Sequence, residues 1–199
     1  MARTQAADYE QRQEAIVAKA AQLFAKSGFK GASVADLAVA CKTSKSLIYH
    51  YYPSKEDILY AVMASHVDQL EGDVAEALAE GTSPADRLSL LVHRFMRHYV
   101  GAASRQKVLL NELDSLPTAK RKAIVLKQRG IVDAVTSLLA KVDGNEDAAV
   151  LRVRAMLLFG MINWTHTWYD PRGKLKPDEV ADMALSLILG HADQRATER

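Results

Sequence analysis

Thr43-Ser44-Lys45-Ser46-Leu47-Ile48-Tyr49-His50-Tyr51-Tyr52-Pro53-Ser54-Lys55-Glu56 is the stretch whose reading decides the fold. Ser44 is placed to cap a helix by accepting a hydrogen bond from a free backbone N–H of its first turn. That helix must be short, because Pro53 cannot continue it and disfavours helical geometry at Tyr52. Ser54 caps the next helix, which carries Lys55 and Glu56 in its first turn. A stubby, basic, aromatic-rich helix is thus set between two breaks and is expected to face outward.

Upstream, residues 1–8 are expected to form a loose arm. From Tyr9 the pattern is helical, with Ile16, Val17, Ala20, Leu23 and Phe24 on one apolar face. Gly28 is placed to end that helix with a left-handed residue. Ser33 and Asp36 make an approximate capping box for a short second helix whose apolar face is Val34, Leu37, Ala38 and Cys41. The Lys42-Thr43 turn then leads into the quoted helix. Helix, short helix, tight turn, short helix is the outline of a helix-turn-helix.

Downstream, a long helix is expected from Ser54 to about Glu80, broken by Gly81-Thr82-Ser83-Pro84, and another over 84–102. A short helix carries Leu109, Leu110 and Leu113; Pro117 opens a long one that Gly144-Asn145 ends. One helix from about Asp147 to Tyr169 and a last near 178–190 complete the chain. No segment alternates at period two, so the fold class is all-α, with about nine helices. Residues 1–53 form the helix-turn-helix domain and 54–199 a larger helical domain, with no flexible linker between them.

The second helix of a helix-turn-helix enters the major groove of double-stranded DNA. Thr43, Ser44, Lys45 and Ser46 stand at its leading end, with Tyr49 and His50 about one turn further on. Leu47 has no polar reach and either touches a thymine methyl or packs. Lys55 and Ser33, at the starts of flanking helices, are candidate phosphate contacts. Ile48, Tyr51 and Tyr52 are assigned to packing, because this helix needs side chains facing the first.

Charge follows the same division. Net charge over 199 residues is only +2, with 49% apolar and 25% charged residues, an ordinary composition. Residues 1–55 carry eight Lys and Arg against four acids, net +4, and the remainder is −2. A basic N-terminal quarter on a near-neutral body suits a polyanion-binding module. One cysteine, Cys41, rules out an internal disulfide and a cysteine-based zinc site. The start is polar and no apolar run approaches about 20 residues, so a cytoplasmic protein without a membrane partner is expected.

The segments Ala32-Ser33-Val34-Ala35-Asp36-Leu37-Ala38 and Ser44 to Leu59 resemble the DNA-binding signature of the TetR family of transcriptional regulators. The resemblance implies an all-helical homodimer paired through its last two helices, binding a palindromic operator and released from it by a small molecule. It departs from the usual pattern at Lys42, where glycine is typical and a left-handed non-glycine residue costs about 1 kcal/mol. Ser46 and Leu47 stand where glycine and threonine are common.

Gly160 to Leu175, followed by Asp178-Glu179-Val180-Ala181, resembles a branch of the family that includes responders to acyl-coenzyme A thioesters. The effector lining this implies is Phe95, Met96, Tyr99, Leu109, Leu113, Gln128, Phe159, Asn163, Trp164 and Trp168. The two tryptophans equally fit core or dimer packing. The implied dimer seam is Met156, Leu157, Gly160, Val180, Ala184, Leu187 and Ile188. Arg121, Lys122, Lys127 and Arg129 are either a solvated basic face or a contact for coenzyme A phosphate.

Histidines at 50, 66, 93, 98, 166 and 191 show no metal-binding spacing, and no phosphate loop or nucleophile motif is present. Neither an enzyme nor a resident cofactor or metal is expected. The alternative to a DNA-binding regulator is a helical protein that binds a hydrophobic ligand without acting through DNA.

Overall fold

The computed structural model describes residues 2–144 and 146–190; Asn145 and His191 of the sequence reading lie outside them. Among the described residues there are only helices and turns. They form two units, one of residues 2–66 and 104–124, the other of 67–103 and 125–190. The division does not follow the expected boundary at 53/54. The first long helix after Pro53 and the one after Pro117 each contribute to both units.

In the first unit, α1 (Ala2–Gly31) begins well before Tyr9. Residues 2–8 therefore continue the helix instead of forming an arm, since Ala2, Gln5, Ala6 and Ala7 favour helix and nothing breaks it. Ile16, Val17, Ala20 and Phe24 are buried as the periodicity required. At Gly28 the backbone leaves the helix with φ 72° and ψ 159°. The positive φ was expected, but this ψ lies beyond the left-handed helix, in a region essentially restricted to glycine.

α2 (Val34–Ala40) starts with a complete capping box: Ser33 Oγ accepts from the Asp36 N–H at 3.1 Å, and Asp36 accepts from the Ser33 N–H at 3.0 Å. The Ser33 hydroxyl, which donates to the Asp36 carboxylate at 2.6 Å, and then the Ser33 N–H hold that carboxyl below its ordinary range. The helix ends in a Schellman turn: the Thr43 N–H donates to the Ala38 carbonyl at 2.9 Å and the Lys42 N–H to that of Val39 at 3.0 Å. Lys42 occupies the left-handed position, with φ 52°. α3 (Lys45–Tyr51) is capped by Ser44, whose Oγ accepts from the Leu47 N–H at 3.1 Å, and it stops at extended Tyr52. Ile48 is fully buried, and Tyr51 and Tyr52 are half-buried.

Ser54 Oγ accepts from the Asp57 N–H to start α4 (Lys55–Glu80). α6 (Ala103–Glu112), a turn of 3-10 helix (Leu113–Ser115) and the start of α7 (Thr118–Asp143) complete this unit. Leu113 thus sits on the 3-10 turn, not on the expected helix. Long-range bonds tie these pieces together. His66 Nε2 of α4 meets Gln106 Oε1 of α6 at 2.6 Å, Arg105 donates to Glu14, and Lys120 donates to Asp57.

In the second unit, α10 (Pro177–Leu189) packs against α5 (Pro84–Gly101) and α8 (Ala148–Asn163). The expected single helix over 147–169 is divided at Trp164, after which α9 (Thr165–Trp168) makes one turn. The hydroxyls of Thr165 and Thr167 donate back to the carbonyls of Ile162 and Trp164, which competes with the helical ladder and bends it. Contrary to the expectation of no such run, Ala148–Trp168 is long and apolar enough to cross a membrane by composition. It carries Arg152, bonded to Asp133, and Arg154, bonded to Asp143, Glu146 and the Ile188 carbonyl.

Replacing Gly28 with Ala should lower the unfolding free energy by about 1–3 kcal/mol, read as a reduced urea midpoint at unchanged slope. The Asp57 carboxyl is held below its ordinary range by its bond from Lys120 and its pairing with Ser54. A depressed folded-state pKa contributes stability above the unfolded value, and that contribution is lost as pH falls through the folded one. Asp57→Asn should therefore flatten the fall in urea midpoint below about pH 4, while the wild type keeps the steeper acid limb.

Candidate nucleic-acid interface and effector site

A seven-residue helix is too short to persist alone, so α3 depends on its cap and on burial of Ile48. With Ile48 inward, Lys45, Ser46, Tyr49 and His50 are exposed, and the Tyr49 side chain keeps 44% of its surface. Tyr51 turns toward α1 and stacks tilted on Tyr9, ring centres 4.7 Å apart. Burial first, then Glu14 and Tyr9, pushes the Tyr52 hydroxyl up to about 12. The outward and inward faces of α3 thus fall where the sequence reading put them.

The remaining candidates differ in what holds them. Ser44 accepts from the Leu47 N–H, which leaves its hydroxyl proton to donate elsewhere. Ser33 is exposed, but its hydroxyl is committed to Asp36 at 2.6 Å, beside a carboxylate that repels phosphate. Leu47 and Thr43 are half-buried. Lys55 stands with its ammonium 4.3 Å over the Phe29 ring, a cation–π contact that orients it.

An open groove of about 410 Å³ runs between α1 and the α2–α3 turn. Its lining includes Arg12, Lys19 and Lys42 with Ile16, Leu47 and Tyr51, and no acidic side chain among the described residues. Sequence reading missed Arg12 and Lys19 as site residues. The signal was present, since positions seven apart share a helix face. Cys41 lines the same groove, where burial raises its thiol pKa against the opposing charge of Lys19.

The effector candidates separate. Phe95, Met96, Tyr99 and Phe159 come together in the core of the second unit, Phe95 lying 6.0 Å from both Tyr99 and Phe159 between ring centres. Burial raises the Tyr99 hydroxyl far above its ordinary range. Gln128 and Asn163 are half-buried in the same unit, whereas Leu109 and Leu113 belong to the first. Trp164 and Trp168 are 64% and 57% exposed and do not join the aromatic core. They line an apolar groove of about 550 Å³ with Met156, Leu157, Met183 and Leu187. Of the expected seam, Met156, Leu157, Gly160 and Leu187 are exposed, while Val180, Ala184 and Ile188 are buried within the chain. Lys127 donates to Asp68 and Glu71 at 2.6 Å and Arg121 to Asp114 at 3.1 Å, so both belong to paired surface charge.

A helix-turn-helix with hydroxyl and cationic groups outward, joined to a larger helical body with an aromatic core, defines a DNA-binding transcriptional regulator. Residues 16–62 match the bacterial regulatory proteins of the tetR family, and residues 81–192 the tetracyclin repressor-like C-terminal domain. The chain belongs to the TetR family of ligand-responsive transcriptional regulators.

A TetR-family regulator from Bordetella parapertussis 12822 is 37% identical, with 89% of this chain and 93% of that one aligned and a TM-score of 0.85. AibR, solved in complex with isovaleryl coenzyme A and operator DNA, is 26% identical over 88% of this chain and 97% of its own, with a TM-score of 0.77. The transcriptional repressor KstR2 of Mycolicibacterium smegmatis is 24% identical, covering 92% of this chain and 91% of that protein.

Proposed function

We propose that this regulator is a repressor and not an enzyme, that it binds a palindromic operator as a homodimer in the cytoplasm, and that an acyl-coenzyme A releases it. The exposed face of α3, with Lys45, Ser46, Tyr49 and His50 beside the Ser44 cap, is the observation that carries the DNA reading. Thr43 and Leu47 flank that face, Lys55 is the phosphate candidate because Asp36 holds the Ser33 hydroxyl, and Arg12, Lys19 and Lys42 add cations beside the α2–α3 turn. Likeness to AibR, solved with isovaleryl coenzyme A and operator DNA, supports an acyl-coenzyme A effector. The reading of the effector site rests on the apolar core of Phe95, Met96, Tyr99 and Phe159, with Gln128 and Asn163 of the same unit as polar candidates. Effector binding shifts the population toward a conformation of lower operator affinity.

Homodimerisation is supported by the exposed apolar face of α8 and α10, since contiguous patches of this kind mark interaction surfaces. Trp164 and Trp168 then belong to the seam and not to the effector lining. Leu187→Asp should convert the protein to monomers in sedimentation velocity runs at micromolar concentration; an unchanged dimer would place the seam elsewhere.

The function is tested by anisotropy titration of a palindromic duplex from the protein's own promoter region. Lys45→Ala and Tyr49→Ala should each weaken binding about tenfold or more, corresponding to roughly 1–3 kcal/mol per base contact. Arg12→Ala and Lys19→Ala should each lower the slope of log K against log salt by about 1 without changing sequence preference. Long-chain and aromatic acyl-coenzyme A esters should release the bound duplex; if none has an effect, the effector class is wrong.

A further inference from the structure

We propose that Glu112 is a positioning residue for DNA binding, acting through the Phe29 amide and ring to set the Lys55 ammonium. The proposal rests on reading Lys55 as a phosphate contact. The chain of contacts starts at the break in α1. With Gly28 at φ 72° and ψ 159°, the Phe29 N–H leaves the helical ladder and donates to Glu112 Oε1 at 3.0 Å, from a residue 83 positions away. A Cβ built on Gly28 would stand 3.3 Å from the same oxygen, so the bare glycine opens the space the carboxylate fills. Glu112 Oε2 accepts from Ser115 Oγ at 3.1 Å, which fixes the carboxylate's orientation at the end of α6.

Phe29 passes the constraint on. Its side chain is buried and meets Phe24 edge to face, ring centres 5.5 Å apart at 74°. Lys55 Nζ lies 4.3 Å from the centre of the same ring. The ring's negative face holds the ammonium, and the backbone that carries the ring is tied to position 112 by the Phe29 amide. Lys55 follows Pro53 and Ser54 directly, so it is also the residue of α4 nearest to α3. Displacing α6 therefore alters Lys55 without any change in α3. By linkage, a phosphate on Lys55 stabilises the Glu112–Phe29 bond to the same extent.

The test uses the full chain and a duplex that the wild type binds, at fixed ionic strength and a temperature where every variant is folded by circular dichroism. Glu112→Ala should weaken binding about two- to fivefold, the range of one exposed cation–π contact. Glu112→Gln, which keeps an acceptor for the Phe29 amide, should stay within about twofold of wild type. The double variant Glu112→Ala with Lys55→Ala should bind no more weakly than Lys55→Ala alone, because both remove one interaction. Phe29→Leu keeps the amide but removes the ring, and it should match Glu112→Ala; it also serves if Glu112→Ala does not fold.

Hydrogen–deuterium exchange over residues 24–32 should be faster in Glu112→Ala, and in Lys55→Ala should change by no more than the about two- to fivefold that the coupling allows. Multiplying losses in the double variant, wild-type affinity in Phe29→Leu, or unchanged exchange in Glu112→Ala would each overturn the proposal. If the wild type binds no duplex, the DNA reading fails; the exchange measurement still decides whether Glu112 holds the Phe29 amide.

Discussion

A helix of seven residues cannot hold itself together in water, and the proposed DNA interface depends on one. α3 persists because its ends are closed and its middle is buried. Ser44 satisfies a first-turn amide, the Schellman turn before it satisfies the carbonyls of α2, and Ile48 is removed wholly from solvent. The turn imposes its own cost at Lys42, which takes a left-handed conformation of about 1 kcal/mol where glycine would take it freely. A cation gained at the mouth of a basic groove offsets that cost if the groove meets DNA.

Charge is distributed to match. In the second unit many cations are spent on neighbouring acids: Arg94 on Glu76 and Glu80, Lys127 on Asp68 and Glu71, Arg154 on Asp143 and Glu146. Exposed pairs of this kind contribute little stability each, but they leave that unit's surface near neutral. The cations at positions 12, 19 and 42 instead share a groove whose described lining contains no acid. Positive charge is thereby gathered along the groove between α1 and the α2–α3 turn.

Local signals made the helix-turn-helix legible in the sequence. Caps at Ser33, Ser44 and Ser54, the stop at Pro53 and the odd residue at Lys42 all act within a few positions, and each appears in the structure where it was expected. What stayed hidden was non-local or too weakly encoded. No glycine or proline marks the bend at Trp164; it depends on two threonine hydroxyls choosing helix carbonyls over water. The Glu112–Phe29 bond joins residues 83 apart, and no spacing announces it. The tryptophans fitted either a pocket or a seam by type, and only their exposure separated them from the aromatic core.

That placement makes the protein its own reporter. The chain has two tryptophans, and both line the apolar groove of the second unit. Indole emission shifts with the wetness of its surroundings, so intrinsic tryptophan fluorescence watches that groove and nothing in the DNA-binding unit. Four of the tyrosines, at positions 9, 49, 51 and 52, cluster on or beside α3 instead. Tryptophan emission is therefore an optical channel for what covers the groove, without any label attached, whereas tyrosine emission mixes α3 with Tyr60, Tyr99 and Tyr169.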